Sequence, residues 1–510
     1  MIQTHFPIQI VSILIPLIGS FLFPLLGRRL KIKKLSFVSF LLLLVPLISF
    51  SGIILKFGLG EGVADPVFFS QRYIGSFSML LDSLSMPFVL GIAIVTALVA
   101  LYSAPYMKHR IREMKAEGLE VQSPGTFFML YTMFSASMIG IVLSTNLIEF
   151  YIFLELSLIP SFLLISFFGY GDRIRIAFMY LLWTHIGALV FLLGILYLGL
   201  TTGTFNILNI QNLTINLGLG QGLPILVLIA IVIGLLVKMA TFGVHIWLPY
   251  AHAEAPTPVS ALLSPNLIGI SGYALVRIAY GLFPAQFAEI SLYLLALAFL
   301  TAIYGGLMAL AQDDFKRLLA YSSISQMGWI LLGISTLTPD GITGAMLLFL
   351  SHAFGKSILF MSAGVLIVRF DGLRSISKMG GLVSKVPIFG GLVLLGFMFI
   401  VGLPPTLGIW SKILIVIGAF NMLSAMGTAA FALLALGLIV AAGLTATYSF
   451  VTLKEIFLGE LPRGLKKATV GCWSTMTIVM GIVALVGIAF FFYPSFIIDP
   501  LKDLISNILV

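Results

Sequence analysis

Charge is scarce in this chain, and cysteine is almost absent. Only 9% of the 510 residues are charged, whereas soluble domains contain about 25%. Hydrophobic residues make up 60% of the chain, and the mean hydropathy is +1.14. These values exclude a soluble domain and predict an all-α integral membrane protein, because runs of this kind cross a bilayer as helices.

The single cysteine, Cys472, excludes a disulfide framework and any iron–sulfur or zinc site built from cysteines of this chain alone. The sequence also lacks a glycine-rich phosphate loop and a dinucleotide-binding fingerprint. We therefore expect no cofactor and no metal in this chain. Any redox chemistry belongs to partner subunits, which makes the chain at most one subunit of an ion-translocating oxidoreductase.

Long apolar runs predict fourteen membrane spans. The first run is not followed by a small-residue cleavage pattern, so we expect it to remain as a span. Span twelve is expected to be broken. The spans are predicted at 5–26, 35–55, 81–103, 125–144, 147–168, 176–200, 223–246, 257–280, 288–311, 317–336, 342–368, 387–420, 428–453 and 473–497.

Basic residues are distributed unevenly between the connections. Those that follow odd-numbered spans hold most of the 28 Lys and Arg residues, as in the run from Arg28 to Lys34. The positive-inside rule then makes these connections cytoplasmic and places both termini outside, in the plasma membrane of a prokaryote. The net charge of +9 is thus explained by topology in a lipid bilayer, and no nucleic-acid partner is expected.

Spans seven and twelve resemble each other, because each contains a lysine near proline residues. Lys238 precedes Pro249, and Pro404 and Pro405 precede Lys412. Proline interrupts a helix, so we predict discontinuous helices at Pro249 and at Pro404-Pro405. Two broken helices five spans apart predict two inverted five-helix repeats, a transporter signature. The predicted divisions are a three-helix segment at 1–124, repeats at 125–280 and 281–460, and span fourteen with a short tail at 461–510.

A row of ionisable residues lies inside the predicted spans. A lysine at the depth of Lys238 costs roughly 2.5–3.5 kcal/mol on insertion scales, which indicates a working group. Glu155 is its candidate partner, although a merely neutralising role for Glu155 stays open. If span seven is helical through Gly243, His245 shares a face with Lys238. The alternative for His245 is a histidine bound to a backbone carbonyl near the interface.

The second half repeats this pattern with His352 and Lys356, which lie one helical turn apart, and with Lys412. A protonated lysine is not a metal ligand, so a proton relay is favoured over a metal site. Some polar residues are weaker candidates, since small polar side chains often serve helix packing. These accessory candidates are Glu149, which is expected near the outer interface, His185, Ser325 and Gln326.

Several long motifs resemble those of the antiporter-like proton-translocating family. They include VKMATFGVHIWLPYAHAEAPTPVSALL at 237–263, LAQDDFKRLLAYSSISQMGW at 310–329 and GLPPTLGIWSK at 402–412. The family comprises chains L, M and N of complex I, the D component of Mrp-type sodium/proton antiporters and the matching component of membrane-bound hydrogenases. The resemblance covers roughly residues 80–460. It implies a fourteen-helix fold, neighbouring membrane subunits and peripheral redox subunits on the cytoplasmic side.

The resemblance also assigns roles to residues. It makes Glu155 and Lys238 a pair, places His352 and Lys356 in a relay, and makes Lys412 the terminal site. Lysine rather than glutamate at 412 favours the Mrp-like, hydrogenase-like or chain-L-like branches. The span-eight lysine of many members falls on Gly269 here. Two alternatives stay open: the central relay runs through water or through His245 instead of a lysine, or this subunit pumps differently from the complex I chains or not at all.

Three functions remain open at this point. The first is a proton-translocating subunit of a redox-driven respiratory complex, of the hydrogenase type or related to complex I. The second is an Mrp-type sodium/proton antiporter subunit. The third is a structural membrane subunit that conducts no ion.

Overall fold

The structure is a computed structural model that describes residues 2–58, 62–216, 225–423, 428–462, 465 and 474–509. Predictions that fall on the remaining residues, such as Cys472 and part of the last basic connection, lie outside the described residues. Twenty α-helices account for most of the described chain. In chain order they are α1 (Ile8–Ser20), α2 (Phe23–Leu26), α3 (Ile32–Phe57), α4 (Met86–Ala116), α5 (Pro124–Leu143), α6 (Leu147–Phe168), α7 (Arg173–Thr202), α8 (Ile207–Asn216), α9 (Ile225–Met239), α10 (Trp247–Glu254), α11 (Thr257–Leu262), α12 (Ile270–Ala274), α13 (Pro284–Leu310), α14 (Phe315–Ser335), α15 (Pro339–Arg369), α16 (Pro387–Val401), α17 (Gly408–Leu423), α18 (Thr428–Phe457), α19 (Thr475–Phe492) and α20 (Ser495–Leu509).

Twelve helical segments of the described chain are long and apolar enough to cross a membrane. Predicted span twelve is divided into α16 and α17, and predicted span seven contains α9 and ends in the break that separates α9 from α10. The all-α, multi-pass membrane fold with two discontinuous helices is thereby confirmed. The total of fourteen spans and the inverted repeat stay predictions.

Span eight is not a regular α-helix. Between α11 and α12 the chain forms a π-helical segment at Leu263–Leu267, and a second one follows α12 at Leu275–Tyr280. A π-helical turn inserts an extra residue into the helix, and such turns are frequent at functional sites. Hydropathy alone predicts the span but carries no signal for these irregular turns.

The helices that carry the central polar residues are surrounded by other helices. The run Thr257–Tyr280 and α15 are fully buried over their most apolar windows, and α14 is nearly so. By contrast, α3, α7 and α18 expose much of their apolar surface, as lipid-facing helices do. This arrangement keeps charged side chains away from the hydrocarbon, where they are most costly.

Arg277 lies inside the fold, close to the end of predicted span eight. Its side chain is 10% exposed, and its Nη2 atom is 2.5 Å from Oδ2 of Asp82. Asp82 precedes α4, and its carboxylate also accepts the N–H of Ser85 at 3.0 Å. The pair ties the N-terminal segment to the end of span eight.

Short strands and a terminal helix complete the structure. β1 (Ile2–Gln3) pairs in parallel with β2 (Val63–Ala64), which pairs antiparallel with β5 (Leu80–Leu81). β3 (Phe69–Gln71) and β4 (Gly75–Phe77) form a hairpin. The predicted short tail forms the amphipathic helix α20. Its apolar face packs on α15, and its Lys502 contacts Asp340 at 2.6 Å.

Candidate functional site

The break in span seven follows Lys238 directly. α9 ends at Met239, because Ala240 and Gly243 adopt positive φ angles of 57° and 90°. Pro249 lies within the first turn of α10, where a helix tolerates proline. The helix break therefore lies at 240–246 instead of at Pro249. Because α9 ends before Gly243, Lys238 and His245 do not share a helical face, and that prediction is wrong.

Lys238 is buried in the last turn of α9 and is only 5% exposed. It lines a small cavity together with Thr184 of α7 and Ser271 of α12. The space open to the centre of a water molecule is about 10 Å³, close to the minimum for one water. The rest of the wall is apolar, so the ammonium has two hydroxyl groups nearby in an otherwise dry environment.

Glu155 contacts His185 rather than Lys238. Its Oε2 atom is 3.0 Å from Nδ1 of His185, and both side chains are partly exposed. No nitrogen–oxygen contact within 4.0 Å joins Glu155 to Lys238, although the two interact electrostatically. The predicted pair thus acts at a distance, and His185, an accessory candidate, is the residue in direct contact with the glutamate.

Glu149 is buried, with an exposed fraction of 2%, instead of solvated at the outer interface. It lies in the first turn of α6, and its Oε2 atom accepts the N–H of Thr145 at 3.1 Å. Its other oxygen, Oε1, is buried without a hydrogen-bond partner among the described residues. Glu149 therefore stays an accessory candidate, at the start of α6 and not in solvent.

His245 lies in the span-seven break and is 8% exposed. Its Nε2 atom is 3.1 Å from the hydroxyl of Tyr304 on α13, and its Nδ1 atom has no partner among the described residues. The ring also interacts with the backbone of Thr241, so the alternative of a histidine bound to a backbone carbonyl stays open. His245 therefore connects the break with the first helix of the second half.

Lys356 is fully buried on α15, and its partners come from α14. Its Nζ atom donates to the carbonyl of Leu319 at 2.8 Å and to the hydroxyl of Ser322. His352, one turn earlier, is also fully buried; neither ring nitrogen has a hydrogen bond of normal geometry within the described ranges, but the ring interacts with the backbone of Pro265 in span eight. The lysine is thus held by neutral oxygens, beside a histidine that is only weakly bound.

Lys412 lies beyond the second broken helix. Residues 402–407, including Pro404 and Pro405, separate α16 from α17, and Lys412 reaches back across this break. Its Nζ atom donates to the carbonyl of Ile400 in the last turn of α16 at 2.9 Å and lies 4.9 Å from the ring centre of Trp329. A helix C-terminus and an aromatic face both favour a cation.

Gly269 is closely covered by a neighbouring ring. A Cβ atom at this position would lie 2.3 Å from Cδ2 of Phe349, and Phe349 is itself stacked on Phe88 at 4.0 Å between ring centres. A longer side chain therefore does not fit at position 269 without moving Phe349. Span eight crosses the centre of this protein without a basic residue.

Span eight contains neutral polar side chains near Gly269, although it has no basic residue there. Ser264, in the first π-helical segment, is 2.7 Å from the hydroxyl of Ser323 on α14. Asn266 is fully buried, and neither its amide oxygen nor its nitrogen has a partner in the described part of the chain. The Ser271 hydroxyl is likewise unpartnered and borders the Lys238 cavity. Unpaired buried polar groups are rare and call for an explanation.

Residues 144–437 match a family model described as "NADH:quinone oxidoreductase/Mrp antiporter, TM". The matched range is more than half of the chain and contains Lys238, Lys356 and Lys412. The chain belongs to this family. Residues 70–114 also match the model "NADH-Ubiquinone oxidoreductase (complex I), chain 5 N-terminus".

Relatives in the NADH:quinone oxidoreductase/Mrp antiporter family extend the match over most of the chain. NADH-quinone oxidoreductase subunit M of Rickettsia prowazekii is 30% identical over 99% of both chains. F(420)H(2) dehydrogenase subunit M of Methanosarcina mazei is 33% identical over 83% of this chain and 82% of its own. A chain of respiratory complex I from Thermus thermophilus has a TM-score of 0.81 at 26% identity and is covered to 99%, against 98% of this chain. All three are subunits of larger complexes, which supports neighbouring membrane subunits here. Two of them are M subunits, so Lys412 alone does not assign the branch of the family.

Two residues that the sequence interpretation did not select are buried close to the relay candidates. The first, His252, lies in α10, is fully buried and stacks on Phe360 with 5.0 Å between the ring centres. Both of its ring nitrogens lack a partner among the described residues. It interacts electrostatically with Lys316 and Lys356. The intramembrane position of a histidine next to prolines is the signal that could have identified it.

The second, Lys316, lies between predicted spans nine and ten and is fully buried at the start of α14. Its Nζ atom donates to the carbonyls of Ala253 and Ala255 at 3.0 and 2.5 Å, at the end of α10. An open polar pocket of about 620 Å³ lies nearby and is lined by Glu254, Asp314 and Asp313, among others. The hydroxyl of Ser375 and the N–H of Ser377 donate to Asp313 and hold the pKa of that carboxyl below its usual range.

Ser325 and Gln326 form contacts between neighbouring helices, as packing residues do. Ser325 donates to the carbonyl of Ala302 at 2.9 Å and so joins α14 to α13. The Gln326 amide donates to the hydroxyl of Tyr448 at 3.3 Å, and its oxygen has no partner among the described residues. Within the described ranges, no three His, Cys, Asp or Glu side chains are grouped as metal ligands.

Proposed function

We propose that this chain is a proton-translocating, antiporter-like subunit of a redox-driven respiratory complex in the plasma membrane of a prokaryote. One observation carries the proposal. Lys238, Lys356 and Lys412 are buried within membrane helices, and none contacts a carboxylate within 4.0 Å among the described residues. Buried charges are normally paired, so three unpaired buried lysines indicate groups that exchange protons.

The proposed route leads from Lys238 through span eight to Lys356 and then to Lys412. His352 and His252 adjoin this route, and histidine exchanges protons near neutral pH. The Glu155–His185 pair lies on the far side of Lys238 and responds first to a change in a partner subunit. Moving one proton against 100 mV takes about 2.3 kcal/mol. A change of about two units in the pKa of one lysine supplies a similar free energy, at about 1.36 kcal/mol per unit.

The proposed setting follows from the charge distribution and from the relatives. Peripheral redox subunits bind on the cytoplasmic side, where the basic connections lie, and other membrane subunits flank the chain. Both termini lie outside in this orientation. The complex as a whole is an oxidoreductase, of the hydrogenase type or related to complex I. This chain supplies the ion path and no redox centre.

Protons are favoured over sodium by the geometry at Lys412. Sodium sites in broken helices use carboxylates and exposed carbonyl oxygens. Here the lysine ammonium occupies the Ile400 carbonyl at the break, and no carboxylate pairs with it in the described structure. A role as an Mrp-type sodium/proton antiporter subunit is the second candidate. A purely structural subunit leaves the three buried lysines without a function.

Transport in everted membrane vesicles tests the function and the ion. We expect donor-driven proton uptake by the wild-type complex to persist in sodium-free buffer, with no matching uptake of radioactive sodium. Replacing the terminal lysine, Lys412→Leu, is expected to lower proton uptake at least about tenfold, because a proton-transfer group is removed. The exposed Lys108→Gln variant is the control. Sodium-dependent uptake, or an unaffected Lys412→Leu complex, would overturn the proposal.

The step through span eight has its own test at Asn266. Leucine is similar to asparagine in size but has no polar atoms, so Asn266→Leu is expected to lower proton uptake about tenfold. Asn266→Ser keeps a hydroxyl at this position and is expected to retain a larger share of the uptake. Equal loss in both variants, with normal assembly, would indicate a packing role for Asn266.

A further inference from the structure

A pocket of about 550 Å³ lies between four helices on the membrane face that carries the basic connections. It is bordered by the first turns of α3 and α19, the last turn of α15 and the middle of α4. Three of these four helices begin or end here, which places the pocket at the boundary between hydrocarbon and headgroups. None of the residues that line the pocket belongs to the proposed proton route.

Two cations line this pocket, and no carboxylate does. They are Lys33 in the first turn of α3 and Arg369 at the end of α15. Neither forms an ion pair within 4.0 Å among the described residues. The pocket wall is therefore positively charged without internal compensation.

One helix end adds to this positive potential. α3 starts without a side-chain cap, and among the described residues only the backbone carbonyl of Lys31 accepts N–H groups of its first turn. A lysine in the first turn is also unfavourable for the helix dipole, whose positive end lies there. Thr475, at the start of α19, lines the same pocket. The start of α19 is capped by Ser474, and the negative C-terminal end of α15 lies beside Arg369, so an anion in the pocket would balance chiefly the two cations and the N-terminus of α3.

The deeper wall is apolar. Phe37 lies one helical turn after Lys33 on the same face of α3 and is 53% exposed, and Leu101 of α4 and Val368 of α15 also line the pocket. Cations near the headgroups with an aromatic ring and aliphatic side chains beneath them match the two parts of an amphiphile. A small soluble anion would use only the upper part of this surface.

We propose that this pocket binds an anionic phospholipid of the cytoplasmic leaflet. The phosphodiester lies between Lys33 and Arg369, and one acyl chain follows Phe37 and Leu101. Basic pockets between membrane helices on the cytoplasmic side bind anionic headgroups in this manner. Bound lipid joins α3 and α4 of the N-terminal segment to α15 and α19, and so links the two ends of the chain through one ligand.

Photo-crosslinking tests the site directly. The purified complex is reconstituted with photoreactive phosphatidylglycerol or phosphatidylcholine, and labelled peptides are mapped. We expect phosphatidylglycerol to label α3 and α15 preferentially. Each of Lys33→Gln and Arg369→Gln should lower its apparent affinity about fivefold, and the double variant more strongly. Lys34→Gln removes a neighbouring charge that does not line the pocket, and is the matched control.

Three outcomes would overturn the proposal. Equal labelling by phosphatidylcholine would show that charge is not recognised. Loss of labelling with inorganic phosphate at physiological concentration would identify a site for the free anion. Labelling that is unaffected in the double variant, or a protein subunit crosslinked in place of lipid, would place another occupant on this surface. Intact assembly of each variant, checked by native gel, separates these results from misfolding.

Discussion

The Lys238→Met variant of the assembled complex is expected to lose at least about 99% of its donor-driven proton uptake. Methionine fills a similar volume but cannot carry a proton, and the cavity beside Lys238 provides only the hydroxyls of Thr184 and Ser271 as polar groups. Removing a buried, unpaired charge does not destabilise α9, so assembly should be retained. Proton uptake in everted vesicles, normalised to the amount of assembled complex, is the measurement.

The Lys238→Arg variant distinguishes proton transfer from a purely electrostatic role. Arginine keeps the positive charge that interacts with Glu155 but is not deprotonated in proteins. We expect it to fail in transport almost as completely as methionine. If Lys238→Arg pumps at the wild-type rate, Lys238 acts only through its charge, and the route proposed through it is wrong.

The Arg277→Leu variant is expected to lose roughly 3 kcal/mol of stability, the lower end of the 3–5 kcal/mol typical for breaking a buried ion pair. Asp82 is 9% exposed in the intact pair. In the variant its carboxylate would lose the cation and keep the hydrogen bond from the N–H of Ser85. The loss is a large part of the 5–15 kcal/mol that stabilises most proteins. Denaturation of the purified complex in mixed micelles measures it.

A double replacement isolates the ion pair from the shape of the side chains. Asp82→Leu with Arg277→Leu removes both charges and should recover most of the lost stability. Arg72→Leu, at an exposed position in the same outer region, is expected to change stability by less than about 0.5 kcal/mol. A double variant as unstable as Arg277→Leu would show that packing, not charge, holds this junction.

Hydropathy predicted the all-α membrane fold, whereas the orientation inferred from the charge distribution stays a prediction. Apolar runs located the spans, because a membrane helix must be apolar along its whole length to avoid unpaired polar groups. The residues near Lys238 and Lys412 also indicated two discontinuous helices. Proline alone did not position the first break, since Ala240 and Gly243 interrupt the helix before Pro249 is reached.

The sequence identified most residues of the candidate site but not the contacts between them. A lysine or histidine within a span is visible in the sequence, which is how Lys356 and His352 were found. Which groups face them depends on packing between distant parts of the chain. The partnership of Glu155 with His185, and the burial of Lys316 against the end of α10, arise from such contacts. A lysine next to a connection has the same local sequence whether it is exposed or buried.

The contact between Gly269 and Phe349 limits how this protein can change over time. A mutation that restores the span-eight lysine would place its Cβ 2.3 Å from a ring atom of Phe349, which is fully buried against Phe88. The lysine is therefore harmful until Phe349 has first become smaller, and a smaller residue at 349 leaves a cavity that costs stability by itself. Return to the common family arrangement needs two substitutions, each unfavourable alone. The packing of Phe349 on Phe88 thereby keeps position 269 a glycine.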